Sequence, residues 1–110
     1  MNRGSGPGLD PPGGRIVVQH TGAGDLLALC GDVDAVVVQE LQATGTPDLS
    51  QIVAVDVGEL TYIDSSGLTL LVRWARQATR AGRPAEIRRA GPRFHRVVQV
   101  AGIAALFTLT

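Results

Sequence analysis

Lysine is absent from this 110-residue sequence, so its ten basic side chains are all arginine, and ten acids bring the formal net charge to zero. Without a global positive field, the chain has nothing to draw it toward nucleic acid or an anionic membrane surface, and neither is expected as a partner. Cys30 is the single cysteine. That excludes an intramolecular disulfide and a cysteine-rich zinc site, and fits a reducing compartment. The two histidines, His20 and His95, lie far apart in the chain and assemble no metal constellation. No apolar run approaches the roughly 18 residues needed to span a bilayer, and no apolar h-region follows the first charge. A cytoplasmic protein is the expectation.

With 45% hydrophobic residues, the chain has the size and apolar content of one compact domain with a modest core. Residues 1–14, MNRGSGPGLDPPGG, offer almost nothing to bury and are expected to form a disordered Gly/Pro-rich tail, leaving 15–110 as the domain. Charge is unevenly spread. The chain is mostly acidic up to Asp64, and beyond it come eight arginines against the lone acid Glu86.

Ile16-Val17-Val18-Gln19 and Leu26-Leu27-Ala28-Leu29-Cys30 are short apolar runs flanking a glycine-containing turn, the pattern of an antiparallel hairpin. Gly31-Asp32-Val33-Asp34 breaks the second run, and Asp34 is placed to cap a helix reaching about Gln42 with Val37, Val38 and Leu41 inward. The β-branched Val36-Val37-Val38 run leaves a strand open there. Ile52 to Val57 reads as a central parallel strand, followed by a loop over 58–63. Leu68, Leu71, Val72, Ala75 and Ala78 form a helical stripe, predicting a helix from about Ser66 to Ala81 with Gly82 as its stop. Leu70 and Trp74 fall on a second stripe, either packed under a neighbouring helix or exposed for docking. Ala85 to Arg88 predicts a short strand. A helix from Pro92 with Phe94, Val97, Val98 and Ala101 inward, then a strand over Ala105–Leu109, completes the chain.

This order implies an α/β fold: a mostly parallel central sheet with an N-terminal antiparallel hairpin and helices packed against it. Right-handed crossovers bring the segments 31–34, 58–65 and 89–92 to one edge, at the carboxyl ends of the strands. Enzyme readings find little there. Asp56 sits where a phosphoreceiver aspartate would, but the chain has no acid pair after its first strand and no lysine. Ile63 replaces the first glycine of a serine-hydrolase elbow. Cys30 ends a core strand and reads as a small hydrophobe. No catalytic residue, metal or cofactor is expected.

Asp64-Ser65-Ser66-Gly67-Leu68 leads directly into the long helix, where Asp and Ser are ordinary caps worth about 1 kcal/mol. A hydroxyl at a helix N-terminus is also a place where a phosphate charge can be accepted. Ile63-Asp64-Ser65-Ser66-Gly67-Leu68, preceded by the strand containing Asp56, resembles the signature of STAS domains of the bacterial anti-sigma factor antagonist (anti-anti-sigma factor) type. Leu29 to Asp34 is similar to that family's turn into its first helix, and Val98 to Ile103 to its closing motif. The resemblance spans about residues 15–109. It implies a STAS-like single domain and a phosphorylation site at Ser65, with Ser66 the nearest rival acceptor. It also implies a partner that is an anti-sigma factor with serine kinase activity, and a serine phosphatase that restores the free form. Asp32, Asp34, Asp64, Ser66, Gly67, Leu68 and Thr69 are the partner-binding or switch-adjacent residues by the same resemblance. Thr69 stands where the family's commoner pattern has a glycine.

Phosphorylation at Ser65 would add about −1.5 to −2 charges to an edge that already holds Asp32, Asp34, Glu59 and Asp64. A partner matched to the unmodified surface would meet repulsion, without the domain refolding. Whether Arg88, Arg89 and Arg93 reach that edge and clasp the phosphate is left open, as is the oligomeric state. A second use of the same fold is a STAS interaction subunit of a transport or signalling complex in which Ser65 is never modified.

Overall fold

Spatial order in the sheet follows chain order, β1-β2-β3-β4-β5, and this arrangement sets where everything else lies. In the computed structural model, which describes residues 13–45 and 47–110, the strands are β1 (Arg15–Thr21), β2 (Gly24–Val33), β3 (Ile52–Ile63), β4 (Glu86–Arg88) and β5 (Thr108–Leu109). The helices are α1 (Ala35–Ala43), α2 (Ser65–Arg80) and α3 (Pro92–Val100), with 3₁₀ turns at Leu49–Gln51 and Ala104–Leu106. Most of the expected tail lies outside the described residues. Gly14 is described, and a Cβ there would run into the backbone carbonyls of Cys30 and Asp32.

β1 and β2 pair antiparallel, and every later neighbour is parallel. Because each right-handed crossover steps in the same direction across the sheet, all three helices pack on one face. The registers Leu27↔Val55 and Val55↔Ile87 align three fully buried side chains under them. Val37, Val38, Trp74, Phe94 and Val98 fill the same core from the helix side. The expected mostly parallel sheet with its opening hairpin is what the structure has.

α1 is a helix despite its valine run, because two of the valines can be buried. Asp34 caps it by accepting the Val37 N–H at 3.1 Å, and Val37 and Val38 turn into the core while Val36 is exposed. α2 ends in a glycine stop: Gly82 takes φ +73°, the Arg83 N–H donates to Ala78 at 2.9 Å and the Gly82 N–H donates to Thr79 at 3.0 Å. α3 ends the same way at Gly102.

Several expectations are corrected. The segment 31–34 does not break β2, which runs on to Val33, and 58–63 is not a loop but the second half of β3. These two stretches pair with each other beyond the reach of β4, with register shifts that leave unmatched residues on β3. Such bulges scramble the alternation by which a strand is recognised. In α2 the buried stripe is Gly67, Leu70, Leu71, Trp74, Ala75 and Ala78, so Leu68 and Val72 stand half-exposed beside it. Trp74 is fully buried and its indole N–H donates to the Ile52 carbonyl at 3.0 Å, which removes Leu70 and Trp74 as a docking patch. Ala101 is exposed rather than inward, and the last strand shortens to Thr108–Leu109 because Ala104–Leu106 form a turn.

Candidate functional site

β2 and β3 end together at the buried pair Val33↔Ile63, and each hands the chain to a helix through an aspartate. Helix starts leave backbone N–H groups without partners, so two of them side by side need acceptors. Asp64 supplies most of these. Its Oδ1 accepts the N–H groups of Ser66 at 2.9 Å and Gly67 at 3.1 Å, and its Oδ2 accepts the N–H of Ala35 at 3.2 Å. The Asp64 N–H in turn donates to the Val33 carbonyl at 3.1 Å. With Asp34 on α1, two carboxylates therefore sit at two positive helix ends, and one of them ties the helices together.

Ser65 is the first residue of α2 and is exposed; among the described residues no group hydrogen-bonds its hydroxyl. Its carbonyl accepts the Thr69 hydroxyl at 2.8 Å, one turn on. Ser66 points the other way. It is half-buried and lines a crevice of about 270 Å³ between α1 and α2, with Ala35, Val38 and Gln39. Gly67 is buried where α2 rests on the strand ends, and a Cβ there would lie 2.5 Å from Ile63 Cγ1 and 3.1 Å from Val33 Cγ1. Leu68 and Thr69 face outward with Ser65. Together with Val72, Arg73, Arg76 and the α3 exit at Ala101 and Ile103 they line a groove of about 350 Å³.

Asp32 lies on the paired extension of β2, where it accepts the Thr61 hydroxyl at 2.6 Å. The segments 31–34 and 58–65 are thus brought together, and 89–92 adjoins them through Arg89. The arginines on that side are occupied: Arg88 bonds Glu86 at 3.1 Å, and Arg89 bonds Asp56 at 3.0 Å and reaches Glu59 at 3.8 Å. Arg93 lies instead beside a separate cavity between β3 and α3. The cations that share a groove with Ser65 are Arg73 and Arg76. Helical spacing held the signal, because residues 65, 69, 72 and 76 return to one side of a 3.6-residue helix. Asp48, at the opposite end of β3, is held below the usual carboxylate range by the Ser50 hydroxyl at 2.6 Å and the Ser50 N–H at 3.0 Å.

A family model described as "Mlab, STAS domain" matches residues 16–109, nearly all of the described chain. The chain belongs to the STAS domain family. Solved structures share its fold. An anti-sigma factor antagonist from Mycobacterium paratuberculosis is 20% identical, with 91% of this chain and 87% of that one covered, at a TM-score of 0.70. The anti-sigma factor antagonist SpoIIAA in its unphosphorylated form is 16% identical over 86% of this chain and 87% of that one, with a TM-score of 0.64. The Bacillus cell fate determinant SpoIIAA in the phosphorylated form is 17% identical over 86% and 90%, with a TM-score of 0.61. No curated protein sequence matches this STAS chain. Among its described residues, no helix is long and apolar enough to cross a membrane.

Proposed function

We propose that this STAS protein is an anti-sigma factor antagonist: a binding module, not an enzyme, that docks on an anti-sigma factor with serine kinase activity and is released when Ser65 is phosphorylated. The observation that carries the reading is the exposed Ser65 hydroxyl, without a hydrogen-bond partner among the described residues, at the first position of α2, directly after a capping aspartate. The solved structures of similar fold include an antagonist in unphosphorylated and phosphorylated forms, which supports the same reading.

A phosphate at Ser65 adds about −1.5 to −2 charges beside Asp64 and Asp34, so a partner that accepts the unmodified rim meets repulsion. Arg73 and Arg76 act in the same direction. They line the groove that begins at Ser65, so they draw the phosphate over Leu68 and Val72 and cover apolar surface that a partner would use. Neither effect requires the fold to change. A serine phosphatase would reverse the modification, and a cytoplasmic location suits such a cycle.

The test is an intact mass measured after incubation with ATP and a candidate anti-sigma factor kinase. One phosphate should be gained by the wild type and by Ser66→Ala, and none by Ser65→Ala. A wild type that stays unmodified points instead to a STAS interaction subunit of a transport or signalling complex, in which Ser65 only begins a helix.

A further inference from the structure

Beyond Asp56 the third strand parts from its neighbour, since the last β3–β4 partners are Asp56↔Arg88. The first turns of α3 stand opposite that freed flank, and an open cavity of about 530 Å³ lies between them. Its walls are apolar: Leu60 and Ile63 come from the strand, Phe94 and Val97 from the helix, and Tyr62, 57% exposed, forms a lip. Its mouth is basic. Arg89, Arg93 and Arg96 line it, and among the described residues no acidic side chain does. Among the described residues Arg93 and Arg96 have no salt-bridge partner, and α3 begins beside them at Gly91 without a side-chain cap. Two guanidinium groups and a positive helix end therefore border an apolar hollow, and among the described residues no acidic side chain pairs with those two guanidinium groups.

Arg89 is held differently. It carries φ +58°, a left-handed backbone that a non-glycine residue adopts at a cost, and its guanidinium lies where a Cβ on Gly58 would be. Bonds to Asp56 and Glu59 fix it across the strand edge at that point. An extended peptide adding to the sheet would need the backbone groups of that edge, and the Arg89 side chain crosses the edge at Gly58.

We propose that this cavity binds a small anionic amphiphile, a molecule with an apolar body and a single carboxylate or phosphate group. The apolar body lies between Leu60, Ile63, Phe94 and Val97, and the anionic group sits at the mouth with Arg93 and Arg96. The volume falls within the roughly 300–1,000 Å³ of small-molecule sites. The proposal does not depend on phosphorylation of Ser65.

The ¹⁵N-labelled full chain is titrated with decanoate, decyl phosphate, decanol and inorganic phosphate, and its amide shifts are followed. Saturable shifts confined to residues 58–63 and 91–97 are expected with decanoate, decyl phosphate or both, and which of the two binds tighter identifies the headgroup. Decanol should bind about tenfold more weakly or worse, inorganic phosphate should not saturate, and Arg93→Gln with Arg96→Gln should cost a similar factor. These exposed arginines are outside the core, so an unchanged melting temperature checks that the double variant is folded. Decanol binding as well as the anions, inorganic phosphate binding as well as the amphiphiles, or shifts spread over the whole chain would overturn the proposal. So would an acidic apolar decapeptide that shifts these residues when both amphiphiles fail, because the surface would then belong to a protein partner.

Discussion

Asp64 accepts the backbone N–H of Ala35 across 29 positions of sequence, at 3.2 Å, while its other oxygen caps its own helix. One carboxylate thereby fixes the starts of α1 and α2 relative to each other, and with them the rim on which Ser65 stands. The residue that shapes the candidate site is also a structural clamp.

Replacing it separates these roles by degree. Asp64→Ala leaves the N–H groups of Ser66, Gly67 and Ala35 without their acceptor and removes a negative charge from two helix ends, for an expected loss of about 2–3 kcal/mol. Asp64→Asn keeps a single acceptor oxygen and should lose about 1 kcal/mol. Urea unfolding of the three proteins checks the order, wild type above Asn above Ala.

Gly67→Ala tests packing against propensity. Alanine favours a helix interior by about 1 kcal/mol over glycine, yet the added methyl would press on Ile63 and Val33, and overpacking typically costs about 1–3 kcal/mol. A net destabilisation is expected, visible as a lower urea midpoint. A stabilised variant would show that α2 can lift off the strand ends.

Trp74→Phe removes the indole N–H from the Ile52 carbonyl and leaves, of its two side-chain donors, the longer bond from Arg83 at 3.4 Å. Lost volume and the lost hydrogen bond together should cost about 2 kcal/mol. The melting temperature, followed by circular dichroism, should fall by about 10 °C, at about 4–8 °C per kcal/mol for a domain slightly smaller than this one.

The long-range architecture was legible because the strong signals agreed: the β-branched run from Ile52, the caps at Asp34 and Asp64, and the glycine stop at Gly82 all mark real boundaries. The second half of β3 was hidden for a physical reason. Gly58, Glu59, Thr61 and Tyr62 are exposed, and bulges break the two-residue period, so a paired ribbon carries the composition of a loop. The phase of α2 was hidden differently. Two neighbouring apolar stripes both satisfy helical spacing, and the choice between them is made by tertiary contacts, above all the burial of Trp74 against Ile52. Of the site, Ser65 and its cap could be read locally, whereas the Asp64–Ala35 bond and the sharing of a groove by Ser65, Arg73 and Ile103 depend on how the helices meet.

The proposed surface switch at Ser65 is tested by calorimetric titration of the proposed anti-sigma factor partner with wild type and with Ser65→Asp, each alongside its melting curve. A surface switch requires affinity weakened at least tenfold, about 1.4 kcal/mol, with a nearly unchanged melting temperature, since an acid in the first turn of a helix is favourable on its own. Equal affinity for the two proteins, or a loss of binding that only follows unfolding of the variant, would contradict it.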